Sequence, residues 1–173
     1  MRYAGFVILL ALAGFVASAA AQSQNDFSGT WTMDPSRSES AHQDVPVGSS
    51  TMVIRVADGG LAIETIRGEE GKPAAFHETL NFKLGGPETT SQGDGGTPVT
   101  GKARWEGTKL VVETARSIQG STVTTLYVHT LSADGREMTI DKTLTIQHGY
   151  QGVGARTSGH GKDIFVRVAK KQD

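Results

Sequence analysis

The chain has no cysteine. Thiol nucleophiles, thiolate metal sites and disulfide staples are excluded with it. Basic blocks are missing too. Lys170-Lys171 is the one positive doublet and the net charge is −1, so nucleic acid is not an expected partner. Heptads and long internal repeats are absent. Aromatic residues are scarce, at 6%, against 22 glycines, which suits a turn-rich β protein. A long apolar run occurs only at the start, from Phe6 to Val16. It is too short for a membrane span and is followed by Ala19-Ala20-Ala21. Residues 1–21 therefore read as a secretory signal peptide, with Arg2 as its minimal charged region. The expectation is an exported protein, periplasmic or secreted, with no membrane attachment once the leader is cleaved. The remaining residues, 22–173, make one domain of a size that buries a core without staples.

What is present is a regular strand rhythm. Gly101–Ile146 holds four runs rich in Thr, Val, Leu and Ile. They are joined by Glu106-Gly107-Thr108, Gln119-Gly120-Ser121 and Asp134-Gly135-Arg136, short glycine turns of the hairpin kind. Upstream, Phe27–Met33, Thr51–Val56, Leu61–Arg67 and Phe76–Phe82 read as strands, and Asp34-Pro35 as the start of one helical turn. Asp163–Val168 reads as the last strand, and 85–98 and 147–161 as Gly-rich loops. This gives about nine strand runs and no long helix. A meander hides its edges most simply by pairing its last strand with its first. The expected fold is all-β: an antiparallel up-and-down barrel of about eight to ten strands, in a single domain over 22–173.

Familiar chemistry motifs fail on inspection. Gly96 to Ala103 approaches a phosphate-binding loop but lacks the terminal hydroxyl residue and leads into a strand. His77-Glu78-Thr79-Leu80-Asn81 starts like a zinc-protease motif, but Asn81 replaces the second histidine and neighbours in a strand face opposite ways. His148 and His160 share a loop in this reading and could meet a metal only with a carboxylate from elsewhere. No metal and no cofactor is expected.

Strand parity says more. If Phe76, Leu80 and Phe82 face inward, so does Glu78. Leu110 and Val112 carry Thr114 and Arg116 with them, and Met138, Ile140, Leu144 and Ile146 carry Lys142. Val123, Thr125, Tyr127, His129 and Leu131 share a face, assigned inward for its larger side chains. A charge on an apolar face must be paired or reach water. Glu78, Arg116, Tyr127, His129 and Lys142 are therefore candidate ligand-binding residues, converging on one internal patch. A structural Glu–Lys or Glu–Arg pair, or a charge at the barrel rim, is the competing explanation of Glu78, Arg116 and Lys142, and Arg67 and Arg116 lie near strand ends.

Gly29-Thr30-Trp31 resembles the Gly-x-Trp signature of lipocalins and related calycins. Phrases such as Phe27-Ser28-Gly29-Thr30-Trp31, Ala103-Arg104-Trp105-Glu106-Gly107 and Leu131-Ser132-Ala133-Asp134-Gly135 resemble small exported bacterial proteins of lipocalin-like type. The long helix before the last strand and the cysteines of lipocalins are absent. The resemblance implies a structural role for Gly29, Trp31 and Arg167, with Arg167 packed on Trp31. It also implies binding of a small, mostly apolar or amphipathic molecule inside the barrel. A module with a filled core that binds an envelope surface, and an enzyme using Glu78, Tyr127 or His129 as acid or base, are the alternatives. An enzyme is the less expected of these.

Overall fold

Alternating side chains and glycine turns wind the chain into one sheet. In the computed structural model, residues 26–41, 48–68, 74–149 and 156–169 are described. The leader expected over 1–21, and His42, lie outside them. The strands are β1 (Gly29–Met33), β2 (Ser50–Ala57), β3 (Gly60–Arg67), β4 (Phe76–Lys83) and β5 (Thr89–Gln92), then β6 (Pro98–Glu106), β7 (Lys109–Ile118), β8 (Ser121–Leu131), β9 (Glu137–Gln147) and β10 (Arg156–Arg167). They form a ten-stranded antiparallel sheet in the order β4-β3-β2-β1-β10-β9-β8-β7-β6-β5. The first and last strands pair as expected, with Trp31 opposite Arg167. The hairpins at Asp58-Gly59 and Gln119-Gly120 carry positive φ at both central residues, the twist-matched geometry of tight β turns. The helical turn after β1 is a short 3-10 segment, Pro35–Arg37, capped by the Asp34 side chain on the Ser36 amide.

Two loops of the sequence reading are partly strand. The 85–98 loop contains β5 and a 3-10 turn, Asp94–Gly96. Its Thr89-Thr90-Ser91-Gln92 has no apolar alternation to reveal it, because this strand lies at the sheet's edge. The 147–161 loop ends earlier than expected, since β10 begins at Arg156. Gly159 and Gly161 suggested a loop, but they sit on the inward face of that strand. A Cβ on either would collide with the backbone of 39–41, which crosses there. The glycines make room for a chain crossing.

The sheet's two edges, β4 and β5, meet without a backbone ladder among the described residues. Side chains close the seam instead. Ser91 Oγ accepts from the Asn81 amide at 2.9 Å, Thr89 Oγ1 donates to the Asn81 carbonyl at 2.7 Å, and Asp94 accepts from the His77 amide at 3.1 Å. At one end the main chain helps, where the Gly85 amide donates to the Ala103 carbonyl at 2.8 Å.

One end of the barrel is sealed. Phe27, Trp31, Leu110, Met138 and Phe165 are fully buried there. Trp31 Nε1 donates to the Phe27 carbonyl at 2.9 Å, and the Arg167 guanidinium lies 4.2 Å from the Trp31 ring centre. Arg167 also donates to the carbonyls of Gly135, Ser28 and Asp26. Gly29 belongs to the same arrangement: a Cβ there would meet Arg167 Nη1 at 2.9 Å, so a larger residue would displace the arginine.

Candidate ligand cavity

Strand β8 runs from the open end, at the Gln119-Gly120 turn, to the sealed end, where the next turn meets Arg167. Its inward residues therefore sample the interior by depth: Val123, Thr125, Tyr127, then His129. Beside them lies a cavity of about 260 Å³. Its apolar wall includes Met33, Met52, Ile63, Leu80, Ile140 and Phe165. At its outer end stand Arg67 and Ile118, both exposed.

All five sequence candidates line this one cavity. Parity within each strand brings them to the interior, and the antiparallel ladders set their heights. Tyr127 stands opposite Lys142, and His129 stands opposite Leu110 on one side and Ile140 on the other. The charges are not loose. Arg116 donates to both oxygens of Glu78, at 3.0 and 2.9 Å, a two-pronged pair that fits a planar guanidinium to a carboxylate. Glu78 is 6% exposed and also accepts from the Asp94 amide at 3.3 Å. The pair joins β4 to β7 across the open seam. Lys142 donates to Asp163 at 2.6 Å. Of the ion pairs that the sequence leaves open, Glu78 forms the one with Arg116, and Lys142 has its own partner.

Asp163 escaped the sequence reading, although the signal was present. It shares parity on β10 with Phe165 and Arg167, so an inward Arg167 already places Asp163 inward. Thr114, buried on β7, and Met33 and Met52 complete the lining.

His129 differs from the charged groups. Its Nδ1 lies 2.9 Å from the Leu110 carbonyl. A carbonyl only accepts, so Nδ1 carries the proton and Nε2 is the acceptor in the neutral ring. Burial pushes its pKa down to about 4, against a smaller opposing effect of the Leu110 bond. The ring is thus neutral near pH 7 and a weak base, better suited to holding a hydrogen bond than to taking a proton. Phe27 meets it edge-on at 6.4 Å.

Metal chemistry finds no matching cluster: no group of three or more His, Asp or Glu that could hold an ion occurs among the described residues. His160 lies on β10, 3.2 Å from Thr143 Oγ1, and His148 lies 3.4 Å from Thr157 Oγ1. They do not share the loop that the sequence suggested.

The architecture matches solved structures. A REP1-NXSQ fatty acid transporter aligns over 83% of this chain and 97% of its own, at 13% identity and a TM-score of 0.55. Human cRBP IV aligns over 83% and 98%, at 16% identity and 0.53. A fatty acid binding protein of Schistosoma mansoni, in complex with arachidonic acid, aligns over 85% and 99%, at 15% identity and 0.51. The fold is a lipocalin-like barrel. At these identities the likeness concerns the fold alone. No family model matches the chain, and no curated protein does. The lipocalin-like barrel here combines an apolar wall, two internal ion pairs and a neutral histidine.

Proposed function

We propose that this chain is an exported protein that binds or carries a small, mostly apolar molecule with a polar group, held inside the barrel. The observation that carries this reading is the cavity: about 260 Å³, walled largely by apolar side chains, with a few convergent polar groups. That combination is typical of small-molecule sites. Its volume is just under the usual range of roughly 300–1,000 Å³, which favours a compact ligand or one that emerges at the open end. Support also comes from the barrels of similar shape, two of which are named for fatty acids. A filled core would have favoured an interaction module instead. Export rests on the leader-like residues 1–21.

The test is native mass spectrometry of gently purified full-length protein, followed by titration with medium-chain amphiphiles. We expect a released apolar compound, or saturable uptake at one molecule per chain. Val123→Trp, which fills the outer part of the cavity, should abolish uptake while leaving the fold intact by circular dichroism. Uptake unchanged in that variant would place binding elsewhere and refute the reading.

A further inference from the structure

The polar groups of the cavity are not equivalent. Arg116 and Lys142 are each held by a carboxylate at 2.6–3.0 Å. Each pair presents the field of a dipole rather than of a free cation. Arg67 lines the cavity only at its exposed end, stacked 4.9 Å from the Phe76 ring centre, where water screens it. A carboxylate entering the interior would meet Glu78 and Asp163 without gaining an uncommitted positive partner. The cavity's charges therefore disfavour an anionic head at depth.

Two groups at depth remain unused. Neither His129 Nε2 nor the Tyr127 hydroxyl has a hydrogen-bond partner among the described residues. His129 is 2% exposed, and its Nδ1 is tied back to β7, so Nε2 lies across the ring from that anchor. Both residues line the cavity and Nε2 keeps contact with it, so the cavity is the space from which a donor, water or ligand, reaches Nε2. The Tyr127 ring is 6.4 Å from the His129 ring, on the same inward face of β8. Tyr127 can donate; neutral His129 can only accept at Nε2. A hydroxyl both donates and accepts. A carboxylate, an ester or an ether offers no proton to His129.

We propose that the inner end of the cavity takes an uncharged hydroxyl, so that the ligand is an apolar alcohol whose O–H donates to His129 Nε2 and whose oxygen accepts from Tyr127. The alkyl or alicyclic body then lies along Ile140, Phe165, Leu80 and Met33 toward the open end. This rests on the reading of the barrel as a small-molecule binder and adds the class of molecule.

The experiment compares decanol, decanoate and methyl decyl ether, titrated calorimetrically at pH 7 into full-length protein, Tyr127→Phe and His129→Phe. In the unmodified protein decanol should bind about tenfold more tightly than either of the others, the scale of one buried hydrogen bond satisfied or lost. Tyr127→Phe should lower decanol affinity several-fold. It should be tolerated by the fold, because the hydroxyl bonds to nothing in the described protein. His129→Phe should erase the preference for decanol over the ether. Should that variant not fold, Tyr127→Phe and the three-ligand comparison still decide. Decanoate binding as tightly as decanol would overturn the hydroxyl assignment and leave the binding function standing. So would equal affinities for decanol and the ether, the result expected if water alone satisfies His129. A preference for decanol unchanged in both variants would overturn the roles of these two residues. Failure of all three ligands to bind would count against the binding function itself.

Discussion

The sealed and open ends of the barrel are built on opposite principles. At the sealed end Phe27, Trp31 and Phe165 exclude water, and one arginine spends its donors on carbonyls from three turns and ends. At the open end Ile118 is 47% exposed, and the polar Ser121 starts the returning strand. Between them lies a layer of paired charges. Stability should therefore concentrate at one end and freedom to admit a ligand at the other. The difference shows how one sheet can be rigid and receptive together, because packing density varies along its strands.

The comparison breaks most readily at Trp31. Trp31→Ala should cost about 3–5 kcal/mol, since a fully buried ring and its arginine contact are lost together. Urea unfolding that showed a loss below about 1 kcal/mol would mean that the sealed end does not anchor the fold. His129 provides a pH-dependent version of the same test. Its folded pKa of about 4 lies below the ordinary value of 6.5, so the unfolded chain binds the proton more readily. Its contribution is whole above pH 6.5 and is lost as pH falls toward 4. Stability should drop by about 1.4 kcal/mol per pH unit at most, about 3 kcal/mol in all. The residue-specific part of that slope should vanish in His129→Phe.

The charged layer comes next. Glu78→Gln removes one charge of the seam-crossing pair and leaves Arg116 without its partner. Arg116 keeps 20% of its side chain exposed and can turn toward water, so the cost should be about 2 kcal/mol, less than for a fully buried pair. A double variant, Glu78→Gln with Arg116→Met, should regain part of the loss in a thermal melt. Additive losses would show that the pair does not act as a unit. The smallest effect belongs to the open end. Ile118→Thr should change stability by no more than about 0.5 kcal/mol, measured in urea. A larger loss would show that this end is packed as firmly as the other.

Much of this was legible residue by residue. Phe76–Phe82 announced its inward face through alternation, and Glu78 came with it. Tyr127 and His129 share the β8 face with the larger side chains, and they line the cavity. Asp163 could have been found from Arg167 by counting two positions twice. Strand β5 could not, because an edge strand bonded through Thr and Ser side chains needs no apolar face. Gly159 and Gly161 misled for a physical reason: glycine marks both turns and close crossings, and only the position of 39–41 tells which.

Local chemistry in the sequence determined the strands, their turns and which residues share a face, because those depend on a two-residue period and on φ at a few turn positions. It also determined that no cysteine chemistry occurs in this chain. Only the tertiary structure decided which charges neutralise one another. Glu78 and Arg116 are 38 positions apart, and Lys142 and Asp163 are 21 apart. Their pairing depends on how strands stack around the barrel, which no local period encodes. The tautomer of His129 was decided in the same way. A carbonyl 19 residues away holds its proton on Nδ1, and burial among distant side chains keeps the ring neutral.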